Sequence, residues 1–368
     1  MFEILVAIAA AGDVPLRPPI STSPNGVQYE QQFVAWVPGE LNCDGAAQPA
    51  PLVLHRPMGV LAWRTQSDVA PVTLSFTLDD TGRPLSIALT EGNQRNAPVP
   101  DLMPSLAASR FKSVGAPVKC SLTYTHQAAS LADAPLSELL RRDGYTATRQ
   151  WPRELRERVA TGDCRSSPRP LPLMRVYPDF RAVAEEAGTR GWLTLSYDID
   201  PAGVPENLRI VASSGNAGLE QEAMAAIAKS RFRDGPRTVC VASFGKGAEI
   251  IAAPDAPEEE DFGASPAACD VDDRWSAPPR LSYPPAYLRR EIEGWAIVRY
   301  DVATWGEIGN IEVLDSQPTE EFGKSAFTML QRAKFKPMEQ GITGCIDRVF
   351  YRMKRNTSDA EEGESDEG

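Results

Sequence analysis

The residues in this chain best able to do chemistry are six cysteines, and their spacing decides which chemistry. Cys43 and Cys120, Cys164 and Cys240, and Cys269 and Cys345 form three pairs whose intervals agree to within one residue. Equal intervals are the mark of one unit written three times. The simplest chemistry for them is one disulfide per unit, formed in an oxidising compartment outside the cytosol. A disulfide closing so long a loop is worth on the order of 4 kcal/mol in the chain-entropy account, a large share for domains of roughly 80 to 90 residues. Six buried free thiols are the alternative, but free thiols have no reason to keep a common interval. Zinc fits less well: no CxxC or Cys/His cluster occurs, and the only histidines are His55 and His126. No metal or cofactor is expected.

Other reactive patterns are lacking in the sequence. There is no nucleophile elbow and no phosphate-cradling loop. Gly215-Asn-Ala-Gly218 reads as a strand-to-helix loop, and Glu220 and Glu222 as favourable charges in the first helical turn. His126 has no acid or nucleophile near it in sequence, so it reads as a surface or packed histidine. The expectation is a non-enzyme.

The elements that carry the cysteines recur with them. Gly82, Gly203 and Gly306 each follow an alternating run: Val72, Leu74, Phe76, Leu78; Leu193, Leu195, Tyr197, Ile199; Ala296, Val298, Tyr300, Val302. Period two predicts a strand with one wet face, and the glycine a hairpin turn. A second strand follows in each copy (85–89, 208–211, 308–314). The period then becomes helical, as in Leu219, Ala223, Ile227 and in Phe322, Ala326, Leu330, with Leu102 and Leu106 in the first copy. Each helix meets a basic–aromatic pair (Arg110-Phe111, Arg231-Phe232, Lys334-Phe335), then a last strand bearing the second cysteine. Each unit thus reads β-β-α-β, an α+β fold.

Leu281-Ser-Tyr-Pro-Pro-Ala286, Glu293-Gly-Trp-Ala-Ile-Val-Arg-Tyr-Asp301, Gly306, 322–330 and Lys334-Phe-Lys-Pro337 resemble the C-terminal domain of TonB-type energy transducers. So do Val176-Tyr-Pro178, Gly191-Trp192, Tyr197-Asp-Ile-Asp200, Gly203, Val211-Ala-Ser-Ser-Gly215 and Arg231-Phe232. The first copy is degenerate: Pro57 remains, but Arg56 replaces the Tyr and the Gly-Trp step is lost. The resemblance implies three tandem TonB C-terminal-like domains, each with one intradomain disulfide. It also implies binding of extended segments of outer-membrane receptors or other envelope proteins, added as a strand to the sheet edge. The implied contacts are Tyr177, Pro178, Tyr283, Pro284 and the edge strand Arg348, Val349, Phe350, Tyr351. Trp192 and Trp295, on the solvent side of their strands, read either as ligand-binding aromatics or as a minicore against the preceding arm. The Tyr-Pro pairs have a plain alternative too, pinning an extended arm to the core.

Net charge is −12, and eleven negative charges fall in two stretches, Asp255 to Asp261 and Asp359 to Glu367. The remainder is near neutral, with no basic stripe for nucleic acid. The expected organisation is a signal peptide at 1–11, copies at 43–126, 164–245 and 269–354, a two-helix connector at 127–160 split near Gly144, a flexible acidic linker at 246–268 and a disordered acidic tail at 355–368. The apolar run Ile4–Ala11 is too short to span a bilayer and resembles a secretory signal, although Glu3 stands where a basic residue is usual. With neither a membrane anchor nor a long proline-rich spacer in the sequence, the expected protein is a periplasmic binding array. An anchored transducer and an envelope spacer are the alternatives.

Overall fold

The computed structural model describes residues 31–44, 49–63, 70–91, 101–113, 115–146, 151–263, 265–270 and 273–353. The expected signal peptide and acidic tail lie outside them. All three disulfides join the expected partners, Cys43–Cys120, Cys164–Cys240 and Cys269–Cys345. The chain divides into two compact units. One comprises the first two segments with residues 285–292; the other comprises 252–284 and the chain from 293 onward.

In the first segment, strands β1 (Gln31–Cys43), β2 (Pro51–Val53), β3 (Val60–Trp63), β4 (Val72–Leu78) and β5 (Pro84–Glu91) precede helix α1 (Leu102–Ala108). Strands β6 (Arg110–Phe111) and β7 (Val118–Ser130) follow it. A five-stranded antiparallel sheet runs β3-β1-β7-β4-β5, while β2 pairs with β6. The alternation in β4 puts Val72, Leu74, Phe76 and Leu78 in the core.

Helices α2 (Leu136–Thr146) and α3 (Arg153–Val159) form the connector. Gly144 lies inside α2 instead of splitting the helices, and the reason is packing. A Cβ there would stand 2.6 Å from that of Trp192, so glycine lets the helix close onto the next sheet. Leu139, Leu140, Leu155 and Val159 pack with Phe33 and Met58 on one side and Trp192 on the other. This shared core is why the first two segments make one unit.

The second segment comprises β8 (Leu171–Met174), β9 (Gly191–Ile199), β10 (Pro205–Ser213), α4 (Ala217–Lys229), β11 (Arg231–Arg233) and β12 (Arg237–Lys246). Its sheet is β10-β9-β12, and β8 pairs with β11. Asn216 caps α4 by accepting the Leu219 N–H at 3.0 Å. Glu220 and Glu222 serve local structure: the first meets the Ser213 hydroxyl and the second accepts the Asp179 N–H. Helix α5 (Pro285–Arg290) completes this unit. Its Arg290 is buried and grips the equally buried Asp101 at 2.6 and 2.7 Å, while donating to the carbonyls of Gly188 and Arg56.

The other unit contains β13 (Trp275–Ala277), β14 (Gly294–Val302), β15 (Ile308–Gln317), α6 (Glu320–Arg332), β16 (Lys334–Phe335) and β17 (Ile342–Tyr351). The sheet is β15-β14-β17, with β13 on β16. Residues expected to be a flexible linker are packed here: Ala253, Ala256 and Phe262 cover Trp295, Ile297 and Ile346 on the outer sheet face. The Trp295 indole N–H donates to the Pro254 carbonyl at 2.9 Å.

The expected β-β-α-β core therefore gains a strand ahead of it and a short strand after its helix, paired with each other. The turn glycine holds that second addition in place. Gly82, Gly203 and Gly306 have φ of 83, 80 and 88°. Their carbonyls accept the N–H of Phe111, Phe232 and Phe335 at 2.9, 2.9 and 2.8 Å. A Cβ on any of the three would overlap the same phenylalanine's carbonyl.

Candidate functional site

In the second and third segments the last strand starts at a fixed anchor. In the second segment the Asp198 carboxylate accepts the Val239 N–H and the Asn207 amide; in the third, Asp301 accepts those of Gly344 and Asn310. The Val239 backbone bond chiefly lowers the Asp198 carboxyl below its ordinary range, and the Asn310 side chain does so for Asp301. Asn207 and Asn310 both take positive φ, as Ser86 does in the first segment, marking the irregularity where the second strand bends.

The three last strands differ at their outer edges. In the first segment β1 runs antiparallel along β7, from Cys43 opposite Cys120 to Gln32 opposite Ser130, with an irregularity between Pro38 and Leu41. The edge is therefore filled. Among the described residues β12 pairs only with β9, and β17 only with β14. The Ile346 N–H, instead of joining β14, donates to the Ser265 hydroxyl at 3.2 Å. By antiparallel alternation, Arg348 and Phe350 turn their main-chain groups the same way, outward, and the Glu259 carboxylate accepts the Arg348 N–H. Ser243 and Gly245 occupy the matching positions of β12, three and five residues past Cys240.

The predicted site residues divide sharply. Tyr283 and Tyr351 come together: their rings meet edge-on at 5.7 Å, and Phe322 packs against both. Tyr351 is buried, donates to the Phe322 carbonyl at 3.0 Å, and burial raises its phenol well above the usual range. Tyr177 is 61% exposed with the Arg175 guanidinium 5.6 Å from its ring centre. The reason lies across the sheet, where Lys246 and Leu219 stand at the places of Tyr351 and Phe322, so Tyr177 finds no aromatic pocket. Pro178 and Pro284 are buried. Val349 packs on the helix side of the third sheet. Arg348 reaches the Pro257 carbonyl and Glu258 at 2.9 and 2.7 Å, and Phe350 lies between Arg348 and Arg352.

Trp192 and Trp295 do not face solvent. They are 4% and 2% exposed, roofed by α2 and by residues 253–262 respectively. Their indoles build a minicore and are not open to a ligand. His126 packs 5.8 Å from the Trp36 ring.

The cysteine period, which starts the first copy at Cys43, gives no sign of β1. The signal is Phe33-Val-Ala-Trp-Val37, a β-prone run ahead of the irregularity at Pro38-Gly39.

Two stretches, residues 176–241 and 279–347, match the family model of the Gram-negative bacterial TonB protein C-terminal; the first segment lies outside both. Among solved structures, the solution NMR structure of the Pseudomonas aeruginosa TonB C-terminal domain is similar at 22% identity, covering 23% of this chain and 92% of that one, with a TM-score of 0.21. Comparison with the curated proteins finds no match. Over its second and third segments, this chain is TonB C-terminal-like.

Proposed function

We propose that the chain is a periplasmic, non-catalytic binding protein that takes extended segments of outer-membrane or other envelope proteins as added strands along β12 and β17. One observation carries this reading: β1 already lies on β7 at the corresponding edge. What β1 does for β7 within the chain, a partner's segment does for β12 or β17. Affinity then comes from main-chain hydrogen bonds, and few side chains need be specialised. The three disulfides favour an oxidising compartment, and the run Ile4–Ala11 would be the export signal. Two such edges on one chain raise avidity where a partner offers two segments.

The test is fluorescence anisotropy of labelled peptides from the extended segments of outer-membrane receptors, titrated with the full chain. Ser243→Pro and Phe350→Pro each delete one outward N–H while leaving the inner ladder intact. Each is expected to weaken binding at its own edge by about tenfold, the worth of roughly one hydrogen bond and its neighbours. Peptides that bind both variants as tightly as the native chain would place recognition elsewhere.

A further inference from the structure

Six of the nine large apolar side chains most exposed among the described residues sit on two short arms. Leu52 and Val53 are on β2; Leu171, Leu173 and Met174 are on β8; Tyr177 lies just beyond. The two arms share a pattern, Pro49-Ala-Pro51-Leu-Val53 and Pro170-Leu-Pro172-Leu-Met174. The third segment has Ser276-Ala-Pro278-Pro-Arg280 instead, and there Trp275 folds onto Phe335 at 4.5 Å. The arms of the first two segments also precede the stretch matched by the TonB family model, or lie outside it altogether.

All four residues of β8 and all three of β2 are exposed, so the apolar side chains stand out on both faces of each ribbon. Alternate prolines remove the outward donors that a partner strand would need. Addition of a peptide strand is therefore disfavoured here, in contrast to β12. The charge points to another occupant. The second ribbon, 168–177 with 231–237, holds Arg169, Arg175, Arg231, Arg233 and Arg237 against the single acid Asp234, in a chain of net charge −12. The first, 49–56 with 110–113, holds Arg56, Arg110 and Lys112 and no acid. Some of this charge is engaged: Arg233 lies 3.7 Å from Asp234, Arg56 3.4 Å from Glu138, and Arg237 donates to the Pro168 carbonyl.

We infer that these ribbons are an interfacial docking surface for an anionic lipid bilayer. Leucine, methionine and a tyrosine flanked by guanidinium groups suit the boundary between headgroup and acyl chain, and the local positive charge selects anionic headgroups. The ribbons' backbone groups stay at headgroup depth, where water can still satisfy them.

Vesicle flotation with the full chain tests this, using phosphatidylcholine alone and mixed with phosphatidylglycerol. Two variants accompany it, Leu171→Ser/Leu173→Ser/Met174→Ser and Arg169→Glu/Arg175→Glu, with near-ultraviolet circular dichroism checking that these exposed changes leave the fold alone. The expected result is association with phosphatidylglycerol vesicles that salt weakens and that either variant reduces about tenfold or more. No association at low ionic strength overturns the inference, and so does association that both variants leave unchanged. A dimer that the serine variant dissociates, with no vesicle binding, overturns it in favour of contact between two copies of the chain.

Discussion

Asp101 and Arg290 stand 189 positions apart in sequence and both give up their water on folding. A buried pair of this kind adds little over a well-packed apolar pair, but removing one member strands the other. Asp101→Leu or Arg290→Met should each lower the unfolding free energy by about 3 kcal/mol, and the double Asp101→Leu/Arg290→Met by clearly less than their sum. Urea titration of all three supplies the cycle; simple additivity would mean that the pair does not act as one. His55 shares this interior. Its ring bonds the Thr189 hydroxyl at 2.9 Å, and its pKa is lowered to about 4, first by burial and then by the charges of Arg290, Arg110 and Arg141, against a smaller upward pull from Asp101. The folded ring is thus neutral where an unfolded one, at 6.5, begins to take a proton. Its contribution is constant above that pH and is lost as pH falls from 6.5 toward 4. Partial solvent access trims the loss to about 1–2 kcal/mol at pH 5. His55→Asn should flatten that part of the pH–stability curve; an unchanged slope would place the titration elsewhere.

The elements show where a sequence speaks plainly. Strands with one buried face, such as β4 and β14, declare themselves by alternation, and α4 and α6 by residues four apart. The turn glycines were legible as turns, but their bond to the phenylalanine after the helix was not, because nothing in a sequence pairs positions about thirty residues apart. Strands of two to four residues, β6, β8 and β16, are too short to alternate visibly. The same limit hid the site. Edge recognition leaves no side-chain signature, so the candidate residues were those with conspicuous chemistry, Trp192 and Trp295 among them, and these serve as core. Both belong to a roof over the outer sheet face. Trp295→Ala should cost about 3 kcal/mol by cavity formation and loss of its bond to Pro254, and expose residues 253–262 to faster hydrogen exchange. Unaltered exchange there would mean that the roof holds without its indole.

At the scale of the molecule, the three cysteine intervals in the sequence mark three segments, and the connector's packing unites two of them. Scanning calorimetry should resolve two components. Cys269→Ser/Cys345→Ser should lower only one of them, and Cys164→Ser/Cys240→Ser only the other, each by up to about 4 kcal/mol in the chain-entropy account. Joint movement of both would make the chain a single cooperative block. The placement of α5 gives this arrangement a direction in time. Asp101 and His55 enter the folding compartment long before Arg290, so until α5 follows, the carboxylate destined for this interior lacks its cation. A premature stop anywhere between the second segment and α5 would therefore not yield a tidy two-segment protein. It would leave a body lacking its last interior piece, and quality-control proteases would meet it as a misfolded chain.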